Sequence, residues 1–577
     1  MTSATLPSGT PRAMWAALAV VFVLALLVRV TGITAIGVGG NDTIYYFTLA
    51  EYWKAGDLVY GIGDSARVFR PLYLAFNALW LALLGGSDYA LKLGNVLVDS
   101  ANALLVARLA WLLSGRGAAV LASATAYALL PLAVWASRQE LPHTLSTLCV
   151  LLAMIQLLRA LQCTVTGKSL RALAAAGVLV GAAALTHEEL ALLALPMGLC
   201  ILLVRPSRRD STQVPMRLLA FLCAPLLGAL AIVFLQPEAV GGVLGRLMES
   251  PAGALARLPE AGGRFLWDVV LGSLSPVGLL YCGVALLYIA RRRALATWYR
   301  DSGPLGLAAL CFMVPVVFVM LNALLFTTIF SRAFLPLVPL LLVGVFTCLH
   351  VAGVRWPALS VLVAVLVLSN LASYSAFAVG NREYGRSWAE PAWPTPSNLR
   401  RGWGEFLVDA RFVPSYATHW RRIYDALQGE VDANNRLLVT PLTAMYGPGR
   451  RPLQNQVYFG DDAVYYLDHH EQDLVELLRE KQVRWVVFSV GQLRRLPRRL
   501  QRYRYAREWS APEAVDPAGA LGMARYSVRA ELQLLREQLH GIGAVPVVLF
   551  PRGGYEFQNT VVWRIPAAGS GDDRRPD

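Results

Sequence analysis

Long apolar runs recur along the first two thirds of this chain, and they constrain its fold more than any other feature. A helix needs about 20 residues to cross about 30 Å of hydrocarbon, at about 1.5 Å per residue. With 577 residues, 56% of them hydrophobic, and a mean hydropathy of +0.48, the chain is too apolar for a soluble protein. We therefore predict an α-helical polytopic membrane protein. Its eleven predicted spans are Ala13 to Val30, Tyr89 to Leu113, Ala118 to Trp135, Thr144 to Leu161, Leu170 to Leu185, Leu190 to Val204, Leu218 to Leu235, Phe265 to Ala290, Pro304 to Phe326, Phe334 to His350 and Leu359 to Phe377.

One further apolar run, Pro71 to Leu84, is too short to be a span. As a helix it would extend only about 21 Å. We predict that it lies in the membrane interface, or enters and returns, within a first outer loop of residues 31–88. This choice matters because counting the run as a span would invert every later loop.

Charged residues between the runs predict the orientation of the chain. Basic residues such as Arg116, Arg171 and the triplet Arg291 to Arg293 fall on one side, whereas Asp42 and most other acidic loop residues fall on the other. By the positive-inside rule the N-terminus is cytoplasmic and Asp42 faces outward. The formal net charge of +14 therefore reflects topology and lipid contact rather than nucleic-acid binding.

Residues 380–577 differ in character from residues 1–379, which form the predicted transmembrane domain. Short Val-rich runs follow helical patterns, at Val483 to Ser489 and at Val545 to Phe550 for example, and this alternation predicts a small extracytoplasmic α/β domain. Seven arginines between Arg494 and Arg507 indicate either a solvated face or a surface for anionic glycolipids and lipid heads.

A polar stripe runs along the second predicted span. Lys92, Asn95, Asp99 and Asn102 recur at spacings of three, four and three, which places them on one helical face. Burying such polar and ionisable side chains within a membrane costs free energy, so their presence there indicates a structural or functional role. Two interpretations stay open: an interhelical hydrogen-bond seam in which Lys92 and Asp99 compensate each other, or the wall of a cavity for an anionic head group.

Ionisable residues also cluster at the predicted outer ends of several spans, beside the loop that contains Asp42. They are Arg29, Arg138, Glu140, His143, His187, Glu188 and Arg332. Arginines suit a leaving phosphate because their fork of donors meets its oxygens, and a carboxylate such as Asp42 can take the proton of an acceptor hydroxyl. The pattern predicts group transfer from a lipid phosphate.

The first loop also resembles a known family. Arg29, then Asp42 with Tyr45 and Tyr46, then Ala50, then Arg70-Pro71-Leu72-Tyr73 are similar to the first-loop pattern of the GT-C integral-membrane glycosyltransferases. This superfamily includes protein O-mannosyltransferases and the lipid A aminoarabinose transferase. The resemblance implies Asp42 as catalytic base, an interfacial helix at Pro71 to Leu84, a polyprenyl-phosphate-linked sugar as donor, and an outer α/β domain.

The chain departs from the family pattern at three places. Thr43 follows Asp42 where relatives have Asp-Glu, and His187 stands where many relatives have a phosphate-contacting Lys. Lys92, Arg138 or Arg332 would then supply the phosphate contact. The second outer loop lacks the paired aspartates of metal-dependent relatives, so we expect neither a required metal nor another cofactor.

We therefore predict an inverting glycosyltransferase of the bacterial inner membrane. It would move one sugar from a polyprenyl-phosphate donor to a hydroxyl of a glycolipid, an envelope polysaccharide or a protein on the periplasmic face, with Asp42 catalytic. The substrate-binding residues would be Arg29, Tyr45, Tyr46, Arg70, Lys92, Arg138, Glu140, His143, His187, Glu188 and Arg332. Two alternatives remain: a lipid or sugar transporter, and an inactive assembly subunit.

Overall fold

The computed structural model is predominantly helical over the part of the chain that it describes. The described residues are 12–30, 33, 46–47, 49–50, 53–56, 70–85, 88–138, 141–163, 165–203, 214–235, 258–259, 282–288, 290, 304–325, 331–380, 427, 430, 436–439, 456–457, 478, 482–489, 541–550 and 560–566. The chain forms two compact units. One comprises Met1–Ile33, Leu49–Gly85 and Ala90–Val408; the other comprises Thr34–Thr48, Gly86–Tyr89 and Asp409–Asp577.

Twelve α-helices and two 3-10 helices are described between residues 12 and 380. The α-helices are α1 (Arg12–Val30), α2 (Pro71–Leu84), α3 (Asp88–Ser114), α4 (Gly117–Ala128), α5 (Pro131–Ser137), α6 (His143–Gln162), α7 (Thr166–Thr186), α8 (Ala194–Leu203), α9 (Val214–Leu235), α10 (Pro304–Leu325), α11 (Val338–Val351) and α12 (Trp356–Gly380). The 3-10 helices are Glu188–Leu193, before α8, and Ser331–Leu337, before α11.

Four of these segments are long and apolar enough to cross a membrane, by length and composition, within the described residues. They are Tyr89–Ser114, His143–Gln162, Thr166–Thr186 and Phe334–Val351. Several other apolar helices are shorter, such as Met14–Val30 and Val214–Leu230. A multi-pass membrane protein is thus supported, while the count of eleven spans and the orientation stay predictions.

Helix α2 forms where the sequence predicts a short helix. Pro71 occupies its first turn, where the missing N–H costs no hydrogen bond, and Gly85 ends it with a φ of +94°. One face buries Tyr73, Asn77 and Leu81. The opposite face exposes Leu79 and Leu83, at 55% and 64% of their areas. This division suits the predicted interfacial location.

Two predicted spans are interrupted in the structure, so their prediction as continuous helices was wrong. The run Ala118 to Trp135 divides into α4 and α5 because Pro131 lacks an N–H and disfavours the helical conformation at Leu130. The run Leu190 to Val204 begins inside the 3-10 helix Glu188–Leu193 before α8 starts.

The second unit contains a five-stranded mixed sheet. Its strands are β1 (Arg436–Val439), β2 (Gln456–Val457), β3 (Val483–Ser489), β4 (Val545–Phe550) and β5 (Thr560–Arg564), in the order β2-β1-β3-β5-β4. β1 is parallel to β2 and β3, whereas β5 is antiparallel to β3 and β4. Strands β3 and β4 coincide with the two Val-rich runs named above, and β2 was not predicted. Most of the predicted helices of this domain lie outside the described residues.

Helices α7 and α9 pack with their backbones in direct contact. A Cβ on Gly177 would lie 2.0 Å from the carbonyl oxygen of Phe221, and one on Gly181 would lie 3.3 Å from that of Ala224. Small residues allow this approach, which is a common way to pack helices in membranes.

A fully buried ion pair connects α1 to α3. Arg29 Nε donates to Asp99 Oδ2 at 2.7 Å, and both side chains are 0% exposed. Arg29 Nη1 also donates to the carbonyl of Ala128 at 2.7 Å. The other carboxylate oxygen accepts from the Tyr127 hydroxyl at 2.5 Å and from Asn102 at 3.2 Å. The pair therefore joins the ends of α1 and α4 to the middle of α3.

The stripe on α3 is mainly a hydrogen-bond seam. Asn95, Asp99 and Asn102 are all 0% exposed, and Asn102 also donates to the carbonyl of Thr144 on α6 at 3.0 Å. Arg29 forms the ion pair with Asp99, and compensation of Asp99 by Lys92 stays a prediction. A partner 70 residues away could not be found from the spacing within one helix.

We expect Gly177→Ala to destabilise the protein. The new Cβ would collide with backbone that cannot rotate away, and overpacking of this kind costs about 1–3 kcal/mol. Apparent melting temperature in detergent measures the effect. Gly167→Ala is the matched control, because a Cβ at this position of α7 meets nothing within 4 Å. Equal melting temperatures of the Gly177→Ala and Gly167→Ala variants would contradict the close backbone contact between α7 and α9.

We expect Asp99→Asn to destabilise the protein by about 3–5 kcal/mol, because it leaves the Arg29 charge buried without its carboxylate. Thermal melting in detergent is the measurement. Replacing both partners, with Arg29→Met and Asp99→Leu together, should recover most of the loss. If Asp99→Asn melts like wild type, the ion pair does not stabilise the packing of α1 on α3.

Candidate functional site

Arg138 joins the end of α5 to the end of α1. It is 0% exposed; its Nη2 donates to the carbonyl of Val28 at 2.7 Å and its Nε to that of Arg29 at 3.3 Å. The last carbonyls of a helix have no partner within the helix, so a nearby arginine stabilises that end. Arg29 and Arg138 therefore both have structural partners, and their role in substrate binding stays a prediction.

Asn95 of α3 forms hydrogen bonds with α2, with α6 and with the chain just before α6. Its amide nitrogen donates to the Tyr73 hydroxyl of α2 at 3.5 Å and to the carbonyl of Leu141 at 3.4 Å. Its amide oxygen accepts from the Thr144 hydroxyl of α6 at 2.9 Å. The first turns of α2 and α6 thus meet the second turn of α3. Lys92, one turn before Asn95 on the same face, is 0% exposed.

Two histidines pack together where α7 ends and α6 begins. The rings of His143 and His187 lie 5.5 Å apart between centroids, at 35° to each other. Both side chains are buried. Beside them, the hydroxyls of Ser146 and Thr186 are hydrogen-bonded at 2.8 Å. His187 adopts extended backbone and so ends α7, which allows the chain to turn into the next 3-10 helix.

Arg70 and Glu188 form the more accessible ion pair of this region. Arg70 Nε donates to Glu188 Oε2 at 3.1 Å and Nη2 donates to Oε1 at 3.4 Å. Their side chains are 11% and 30% exposed. Arg70 immediately precedes α2 and Glu188 begins the 3-10 helix after α7. The fork geometry is the one with which arginine also binds phosphate.

These contacts gather one set of helix ends. The C-terminal ends of α1, α5 and α7 and the N-terminal ends of α2, α3 and α6 share hydrogen bonds, ion pairs or ring contacts. Seven of the predicted site residues lie in this described cluster: Arg29, Arg70, Lys92, Arg138, His143, His187 and Glu188. We call it the polar end of the bundle. Chemically, it can present cations, imidazoles and a carboxylate to an anionic ligand.

The remaining predicted residues are not placed in this cluster. Tyr46 is described and is 0% exposed, while Asp42, Tyr45 and Glu140 lie outside the described residues. The backbone of Arg332 belongs to the 3-10 helix Ser331–Leu337, which packs against α6. The side chain of Arg332 lies outside the described part of the structure.

The predicted set omitted one contact beside the polar end. Asn322 Nδ2 on α10 donates to Glu189 Oε2 at 3.0 Å. A signal was present, because Asn322 is the only amide side chain in the apolar run that forms α10. Its partner, however, lies 133 residues earlier, which no local pattern reveals.

Comparisons with known proteins agree with this architecture. Residues 70–234 match a family described as dolichyl-phosphate-mannose-protein mannosyltransferase. A search of curated proteins finds no match.

Solved structures of membrane glycosyltransferases also resemble the chain. ArnT from Cupriavidus metallidurans, bound to undecaprenyl phosphate, has a TM-score of 0.53 at 11% identity, with 96% of this chain and 98% of that chain covered. The apo state of the same protein has a TM-score of 0.50 at 13% identity, with 83% of this chain and 93% of that chain covered. The Archaeoglobus fulgidus oligosaccharyltransferase, solved with Zn and sulfate, has a TM-score of 0.47 at 13% identity, with 83% of this chain and 68% of that chain covered. The likeness to ArnT shows that the chain shares the fold of this membrane glycosyltransferase, and residues 70–234 match the mannosyltransferase family.

Proposed function

We propose that this protein transfers a single sugar from a polyprenyl-phosphate-linked donor to an acceptor hydroxyl. The observation that carries the proposal is the accessible Arg70–Glu188 pair at the polar end of the bundle. The matched family is named for a dolichyl-phosphate sugar, and the ArnT structure contains undecaprenyl phosphate. Both carriers are lipid phosphates, which supports an anionic donor at this cluster.

In the proposed reaction the donor phosphate binds to Arg70, and the guanidinium turns from Glu188 to the phosphate oxygens. Lys92 and His187 add donors nearby, so that charge developing on the leaving phosphate meets cations fixed in a protein environment. No metal or other cofactor is needed in this scheme, because the chain's own side chains stabilise the leaving group.

Asp42 acts as general base. It takes the proton of the acceptor hydroxyl while that oxygen forms a bond to the anomeric carbon. The bond between the anomeric carbon and the phosphate oxygen breaks, and its electron pair leaves with the lipid phosphate. A single displacement of this kind inverts the anomeric centre.

The proposal extends to location and acceptor. We place the protein in a bacterial inner membrane. The charge distribution between apolar runs supports a cytoplasmic N-terminus and a C-terminal domain, residues 380–577, on the periplasmic side. The acceptor is a hydroxyl of a glycolipid, an envelope polysaccharide or a protein exposed on that side.

We expect Asp42→Asn to lower transfer by about 10² to 10⁴, the usual contribution of one positioned base. Cells that lack the gene are complemented with wild type or variant, and mass spectrometry of envelope glycolipids and glycoproteins measures the transferred sugar. Asp57→Asn, in the same predicted loop, is the control that should restore the sugar. Full restoration by Asp42→Asn would remove the proposed base.

If deletion changes no envelope sugar while purified protein flips lipid between leaflets of liposomes, the protein is a transporter and the proposed function fails.

We expect Arg70→Gln to weaken the binding of undecaprenyl phosphate by about 10-fold to 100-fold, as expected for lost charge-assisted hydrogen bonds. Ligand-dependent thermal stabilisation of the purified protein measures binding. Glu188→Gln is the matched variant: it removes the competing carboxylate and should bind the lipid as tightly as wild type or more so. Wild-type affinity in Arg70→Gln would exclude this arginine as the phosphate contact.

A further inference from the structure

Two consecutive carboxylates, Glu188 and Glu189, have partners on different helices. Glu188 meets Arg70 at the start of α2, while Glu189 Oε2 accepts from Asn322 Nδ2 on α10 at 3.0 Å. Glu189 is 9% exposed and Asn322 is 1% exposed. The 3-10 helix Glu188–Leu193 therefore presents one carboxylate to the proposed phosphate site and the next to a buried amide.

Asn322 is polar where its surroundings are apolar. The rest of α10 consists of small or hydrophobic side chains, and a buried polar group in such a helix is a candidate functional group. One amide hydrogen is used by Glu189, yet the amide oxygen has no hydrogen-bond partner among the described residues. An unmet buried acceptor carries the full cost of its desolvation. A ligand hydroxyl would offset this cost.

We propose that Glu189 and Asn322 form the subsite for the donor sugar. A sugar hydroxyl both donates and accepts, and here it meets carboxylate oxygens, an amide oxygen and an amide N–H. This inference rests on the proposed function, because it takes the ligand to be a sugar carried on a lipid phosphate.

The spacing within the chain suits such a ligand. Consecutive Cα atoms are about 3.8 Å apart, so Glu189 is adjacent to the residue whose carboxylate holds Arg70. The sugar of the donor is likewise bonded directly to its phosphate. In this proposal, the sugar ring of a donor whose phosphate is on Arg70 reaches Glu189.

A purely structural role makes a different prediction. If the Glu189–Asn322 hydrogen bond only ties α10 to the 3-10 helix, removing it lowers the melting temperature and affects all lipid phosphates equally. A sugar subsite discriminates between a bare lipid phosphate and one that carries a sugar.

The test compares undecaprenyl phosphate with polyprenyl phosphates that carry mannose, glucose or aminoarabinose, using ligand-dependent thermal stabilisation of the full chain. Wild type should bind one sugar-bearing lipid more tightly than the bare lipid. In Asn322→Leu and in Glu189→Gln, the ratio of the affinity for the sugar-bearing lipid to the affinity for the bare lipid should fall by at least about 10-fold. The affinity for bare undecaprenyl phosphate should stay within about 2-fold of wild type.

Thr347→Val is the control, because Thr347 is also fully buried and its hydroxyl has no hydrogen-bond partner among the described residues. Thr347→Val should leave the affinities for the bare and for the sugar-bearing lipid phosphate unchanged. Exchanging the two groups, with Glu189→Asn and Asn322→Glu together, should keep a carboxylate–amide pair while changing which sugar is preferred.

The subsite is overturned if Asn322→Leu and Glu189→Gln keep the wild-type preference for the sugar-bearing lipid, or if wild type shows no preference at all. Failure of the proposed function is a separate result, since it appears as unchanged envelope sugars in cells that lack the gene.

Discussion

The buried ion pair between Arg29 and Asp99 is the interaction on which the helical unit depends. Two charges at 0% exposure lose their hydration, and their mutual attraction offsets that loss only when the remaining donors and acceptors are met. Here they are met by the Tyr127 hydroxyl, the Asn102 amide and the carbonyl of Ala128. Because these partners come from α3 and the end of α4, the ion pair sets the registration of both helices against α1.

The polar end follows from this arrangement. Arg138 donates to the last carbonyls of α1, and Asn95 lies one turn from Asp99 on the same face of α3. Arg29 and Arg138 are thereby committed to holding helix ends together. Arg70 differs, since its partner is a carboxylate that is 30% exposed. This contrast separates the buried arginines that hold helix ends from the more accessible pair, which we propose as the phosphate contact.

Much of this architecture could be predicted from local sequence. The short helix after Arg70 and strand β3 lie where apolar run length and Val-rich pattern indicate, because both depend on near neighbours in the chain. Contacts across helices could not be predicted in this way. The stripe on α3 was recognised by its period, but the identity of the cation beside Asp99 depends on how α1 packs. The contact of Glu189 with Asn322 was missed for the same reason. The interruption before Pro131 could have been predicted from that residue alone, since proline removes a helical hydrogen bond.

The backbones of α7 and α9 meet directly. With Gly177 against the carbonyl of Phe221, no layer of side chains lies between them to absorb displacement. His187 follows ten residues later, about 15 Å along the axis, and Glu188 comes next. The contact therefore links the position of α9, through α7, to the position of the histidine pair and of the carboxylate on Arg70.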